Sequence, residues 1–151
     1  MRFPPFALLI WCVAAPLSAR DTVGKFATWA AFCDKPTQCF AISAPAERLG
    51  RPWISVAVAG PSVLIQAHLG RPTRAATLLI GGLRFYLTVA GEEARADPRT
   101  SRRIVAAIRA GETLTIVGTS PRGGRFRHHY LLAGAPSAID AATVAAASHG
   151  S

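Results

Sequence analysis

Two adjacent glycines flanked by alternating apolar residues constrain this chain more than any other feature. Thr77 to Ile80 leads into Gly81-Gly82, and Leu83 to Val89 leads away. A two-residue Gly-Gly link suits a primed turn, whose positive backbone angles glycine adopts without strain. Folded back across that turn, Ile80 meets Leu83 and Leu78 meets Phe85, all apolar, while Leu79 meets Arg84 and Thr77 meets Tyr86 on the other face. A slip of one residue would exchange the two faces, so the register is pinned.

The same period recurs along the chain. In Thr113 to Leu132, Leu114 and Ile116 alternate with Thr113, Thr115 and Val117. Ser120-Pro121-Arg122-Gly123-Gly124 then reverses the chain. On the return Phe126, His128, Tyr130 and Leu132 share a core face, and Arg125, Arg127 and His129 share the opposite one. Ile54, Val56 and Val58 predict a further strand, as do Val63, Ile65, Ala67 and Leu69 after Gly60-Pro61. Lys25 to Cys33 and Cys39 to Ser43 predict an opening hairpin, while Ala44 to Pro52 and Arg71 to Arg74 read as surface loops. Only two stretches change period. Pro98 to Ala110 spaces Ile104 and Ile108 four apart, with Thr100 or Ser101 placed to cap its start and Gly111 to end it. Alanine-rich Ser137 to Ala147, with Pro136 at its start, predicts a terminal helix before a frayed tail, His149 to Ser151. About eight short strands with one or two small helices predict an antiparallel β-sandwich or a related barrel.

The first residues set the address. Arg2, an apolar stretch from Phe3 to Ala15 and the small residues Ser18 and Ala19 form a secretory signal peptide, residues 1–19, with cleavage expected after Ala19. The apolar run is shorter than the roughly 20 residues that span a bilayer, and no later run is long enough. Residues 20–151 then form one domain. Removing the signal takes Cys12 with it and leaves Cys33 and Cys39, an even pair in an oxidising compartment, separated by a loop containing Pro36. These features predict a disulfide across the neck of a hairpin.

Catalytic chemistry needs a nucleophile with a base, a carboxylate pair or a metal cluster. None of these patterns stands out. The acids are scattered, Glu92-Glu93 sits beside Gly91 in an expected turn, and Gly118-Thr119-Ser120-Pro121 departs from the G-x-S-x-G pattern. His128 and His129 are strand neighbours that point to opposite faces, so a regular strand does not offer both to one ion. His128 shares the face of Phe126 and Tyr130, which predicts a partly buried imidazole hydrogen-bonded to a neighbour. No enzyme, cofactor or metal is expected.

Charge is the remaining signal. The chain carries 17 basic residues against 8 acidic, and only Arg2 of the basic set leaves with the signal. Arg71, Arg74, Arg84, Arg122, Arg125 and Arg127 fall on loops or outward strand positions. Arginine suits two-pronged contacts with phosphate or carboxylate. Arg122, Arg125 and Arg127 on the last hairpin are therefore candidate anion-binding residues. Arg102 and Arg103 at the start of the first helix are a second candidate set, where a helix N-terminus also favours an anion. A secretory address and the lack of interleaved exposed aromatics argue against nucleic acid. An anionic envelope polymer or lipid head group suits the charge better. The alternative is that the arginines only solubilise the surface.

Several stretches together resemble one family. CDKPTQCFAISAP, TLLIGGLRFYL, the helix ending in IVAAIRAG and TLTIVGTSPRGGRFRHHYLLAGAPSAIDAA are similar to the bacterial invasion-associated locus B family over nearly all the mature chain. RGGRF, Y-x-L-x-G and AIDAA are the most specific part. Cys33 and Cys39 match the family's early cysteines, and Arg122, Gly123 and Tyr130 match its late hairpin motif. The chain departs from the pattern where His128 stands in place of an acid, at Ala94 to Ala96 in place of a tryptophan, and at Ala145 to Ala147 in place of a further cysteine. The resemblance implies a periplasmic or secreted, non-catalytic envelope protein of a Gram-negative bacterium. Such a protein would act by binding or envelope support, with some relatives linked to host-cell invasion. A polyanion-binding module using an arginine-rich face is the alternative function, and a hydrolase a more remote one.

Overall fold

A computed structural model describes residues 21–35, 37–46 and 51–148. The expectations for the signal peptide, Pro36, Glu47, Arg48 and the tail His149 to Ser151 lie outside them. Ten strands and two helices follow one another: β1 (Asp21–Phe26), β2 (Trp29–Lys35), β3 (Gln38–Ser43), β4 (Trp53–Ala59), β5 (Ser62–His68), β6 (Ala75–Ile80), β7 (Leu83–Ala90), β8 (Glu93–Arg95), α1 (Pro98–Ala110), β9 (Thr113–Thr119), β10 (Arg125–Leu131) and α2 (Ala135–Ser148). The strands form one antiparallel order, β1-β2-β3-β4-β5-β8-β7-β6-β9-β10. β7 is the corner, since Leu83 to Leu87 pair with β6 and Thr88 to Ala90 pair with β8. Hydrogen bonds to carbonyls of β10 tie it to the β2–β3 part of the sheet. Ala46 N donates to His129 O at 2.9 Å, and Trp29 Nε1 donates to Leu131 O at 2.8 Å. This is the mainly β, sandwich-like or barrel-like class that the alternation predicts.

The Gly-Gly hairpin forms in the expected register, with Ile80 opposite Leu83, Leu78 opposite Phe85, Leu79 opposite Arg84 and Thr77 opposite Tyr86. Ten strands rather than about eight appear for two local reasons. The opening stretch breaks at Ala27, which takes a positive φ of 53°, so Lys25 to Cys33 is divided between β1 and β2. Glu93 leaves the expected turn to begin β8, where Ala94 is buried between β5 and β7.

The inward face carries Trp29, Ile54, Val56, Ile65, Leu69, Leu78, Ile80, Phe85, Leu114, Ile116, Phe126, Tyr130 and Leu132. Both helices close this side, α1 against β5 and β7 and α2 against β1 to β4. Ile104 and Ile108 of α1 are fully buried, each worth about 1.5–3 kcal/mol relative to exposure. Neither Thr100 nor Ser101 caps α1. Asp97 does, and Ser101 turns inward with its hydroxyl accepting from Ile65 N at 3.0 Å and donating to Ala96 O at 3.2 Å. That serine docks the helix onto the ladder.

Gly118 pairs with Phe126, whose ring folds over it so closely that an added Cβ would lie 2.0 Å from the ring. The loop after β5 closes this end of the core. Arg71 sits over the Phe126 ring at 4.8 Å, and His128 meets Leu69 O at 3.1 Å through Nε2. A carbonyl only accepts, so Nε2 carries a hydrogen there. His128 is 3% exposed, more deeply buried than expected, and its imidazole is hydrogen-bonded as expected.

Candidate functional site

The outer face of β7, β6, β9 and β10 is built in rows. Arg125 lies beside Thr119 and Ala75. Arg127 lies beside Val117, Thr77 and Tyr86, and His129 beside Thr115, Leu79 and Arg84. The middle strands β6 and β9 present short side chains, whereas the flanking strands carry long cationic ones. The result is a trough of about 200 Å³, with Ala75, Thr77, Leu79, Val117 and Thr119 as floor, Arg125 and Arg127 on one wall and Arg84 on the other.

Among the described residues, no acid lines this trough. The two ion pairs found among the described residues, His68 with Glu93 and Arg109 with Asp140, involve none of its arginines. Arg125 and Arg127 are two residues apart on one strand, so their backbones are separated by about 7 Å. Repulsion between two such charges in water is below about 1 kcal/mol, small enough for the fold to hold them together without a built-in counterion. The threonine hydroxyls of the floor add hydrogen-bonding groups between the walls. The arrangement therefore suits an anion chemically.

Arg122 stands on the turn next to this face rather than in the trough. Gly123 N donates to Ser120 O at 2.9 Å and Gly124 N to Ser120 Oγ at 3.0 Å, which sets the turn that presents it. Arg102 and Arg103 are elsewhere. They belong to α1, which packs on the inward side of the sheet, and Arg103 lies 5.5 Å over the ring of inward-facing Phe85. The sheet separates them from Arg84, Arg125 and Arg127. The end of α1 is also supplied with its own carboxylate, since Asp97 accepts from Thr100 N at 2.9 Å and Thr100 Oγ1 at 2.6 Å. Those hydrogen bonds, the Thr100 hydroxyl first, hold the Asp97 carboxyl below its ordinary value.

Cys33 and Cys39 form a disulfide and lie directly opposite on β2 and β3, across the neck of that hairpin. His128 and His129 fall on opposite faces, one buried and one exposed, with His129 Nδ1 2.9 Å from Thr115 Oγ1. No group of three or more histidine, cysteine, aspartate or glutamate residues among the described residues is placed to hold a metal ion. No helix among them is long and apolar enough to cross a membrane.

Arg84 is the residue that the sequence did not assign to the site. Its outward direction was readable from the Gly-Gly hairpin. Its place across from Arg125 and Arg127 depends on β6 pairing with β9, which joins segments separated by a helix. No local pattern carries that pairing.

An antiparallel, mainly β fold of continuous strand order, with two helices on its inner side and an early cross-strand disulfide, is the class defined here. No family model and no curated protein sequence matches the chain. Among solved structures it is similar to invasion associated protein B from Bartonella henselae, with a TM-score of 0.65 and 18% identity over 86% of this chain and 99% of that one. The sequence resemblance to the invasion-associated locus B family thus has a counterpart in structure, and at this identity what the two chains share is the fold.

Proposed function

We propose that this chain is an extracytoplasmic, non-catalytic binding protein of the bacterial envelope, and that it binds anions through the arginine face of its last hairpin. The observation that carries this reading is the trough in which Arg125 and Arg127 stand with no acid among the described residues that line it. Arg122 on the adjoining turn extends the positive surface. A Sec signal in residues 1–19 and the Cys33–Cys39 disulfide support an oxidising compartment outside the cytoplasm. The likeness in fold to invasion associated protein B supports an envelope protein of that type. Any part in host interaction would run through what the arginine face binds.

Retention of the mature protein on immobilised lipopolysaccharide, measured against salt concentration, tests this function. The parent should be retained at low salt and released as salt rises, because exposed charges are screened within about 10 Å at 0.1 M. Replacing Arg122, Arg125 and Arg127 together by Gln should abolish most of that retention while leaving the circular dichroism spectrum unchanged. Equal retention of parent and variant at low salt would falsify the reading and leave the arginines as surface charge.

A further inference from the structure

We infer that the arginine face takes a linear polyanion, a chain bearing sulfate, phosphate or carboxylate groups at intervals, gripped between Arg84 on β7 and Arg125 with Arg127 on β10. This rests on the function proposed above and deepens it. Charge complementarity selects the occupant, because cations stand on both walls and no described acid stands between them. The shape selects an extended occupant. β7 and β10 are three strand spacings apart, about 14 Å between backbones, with β6 and β9 as the floor. Arg84 lies in the row of Leu79 and Arg125 in the row of Ala75, so the cations are staggered along the floor as well as across it.

Backbones about 14 Å apart and in different rows favour a ligand that carries charges at intervals over a single phosphate or lipid head group. A chain laid along Ala75, Thr77 and Leu79 meets both walls in turn. Ala75, Thr77, Val117 and Thr119 leave most of the floor low, with Leu79 the larger residue at its Arg84 end. Tyr86, 74% exposed on the same face in the row of Arg127, offers a flat apolar surface beside Arg84 for the uncharged parts of the chain.

The test uses the mature protein and its Arg84→Gln variant. A second variant carries Arg125→Gln with Arg127→Gln, and a third carries Arg102→Gln on the other side of the sheet. Binding is measured to inorganic phosphate, to heparin fragments shorter and longer than the trough, and to vesicles containing an anionic phospholipid. The parent should bind the long fragment more tightly than the short one. Arg84→Gln should weaken the long fragment about fivefold to tenfold, lower the slope of log affinity against log salt by about one, and leave the short fragment and phosphate unchanged. Arg102→Gln should match the parent throughout.

If Arg84→Gln binds the long fragment as the parent does while the double variant loses it, the two-walled grip is wrong and anion binding by β10 survives. If vesicles capture the protein and soluble chains of every length do not, the occupant is a head group and the inference is overturned. A loss in Arg102→Gln equal to that in Arg84→Gln means unspecific charge attraction, which also overturns it. If no probe binds the parent, the function proposed above fails together with this deeper reading.

Discussion

Asp97 does in one residue what the sequence divided between Thr100 and Ser101. Its extended backbone, φ −64° and ψ 163°, precedes Pro98, and its carboxylate receives both the N–H and the hydroxyl of Thr100. A proline at the first helical position has no N–H to satisfy and presets the helical φ, so the segment D-P-x-T starts a helix from both sides. The carboxyl's lowered pKa fixes the direction of its pH dependence. A group depressed on folding stabilises above its unfolded value, near 3.8, and loses that contribution as pH falls through the folded value. Asp97→Ala should lower the thermal midpoint by a few degrees at neutral pH. Thermal unfolding from pH 7 down to pH 2 should show the gap between parent and variant closing below the ordinary carboxylate range, and a gap independent of pH would contradict the assignment.

At the scale of elements, the β2–β3 hairpin is held twice, once by its ladder and once by the Cys33–Cys39 bridge. The bridge closes a loop with a sequence separation of 6, so it removes little freedom from the unfolded chain. Its contribution should fall toward the low end of about 2–4 kcal/mol. Urea titration of the parent against the Cys33→Ala, Cys39→Ala double variant measures it. Intact mass should show two thiols available to alkylation only after reduction. The Gly81-Gly82 hairpin was legible to the residue pair, because a two-residue turn leaves one register that keeps both faces consistent. β1 and β8 were not legible. β1 is split from β2 at a non-glycine residue with positive φ, for which Ala27 gives no sign, and β8 is three residues long, too short for a period to be counted.

For the whole molecule, the decisive feature is how the last strand of a ten-stranded order and the final helix meet its first strands. Trp29 reaches from β2 to a carbonyl at the end of β10, and Gly134 lets the chain enter α2 against the β1–β2 turn. Its φ is +85°, and an added Cβ would lie 2.0 Å from Phe26 O. Trp29→Phe keeps most of the buried ring and removes only the donor. It should cost about 1–3 kcal/mol in urea unfolding, since the Leu131 carbonyl and the space left by the indole are not both refilled. A change below a few tenths would place the closure elsewhere. The sequence by itself determined the faces of the strands, the register of the Gly-Gly hairpin, the extent of α1, the disulfide pair and the outward direction of Arg125, Arg127 and Arg84. All of these follow from local periodicity and turn chemistry, whose physics extends over a few residues. Only the tertiary structure decided that β6 lies between β7 and β9, that Arg84 therefore faces Arg125 and Arg127, and that Arg102 and Arg103 stand on the other side of the sheet. Strand order is set by which apolar faces best bury one another across long stretches of chain, and no single segment carries that information.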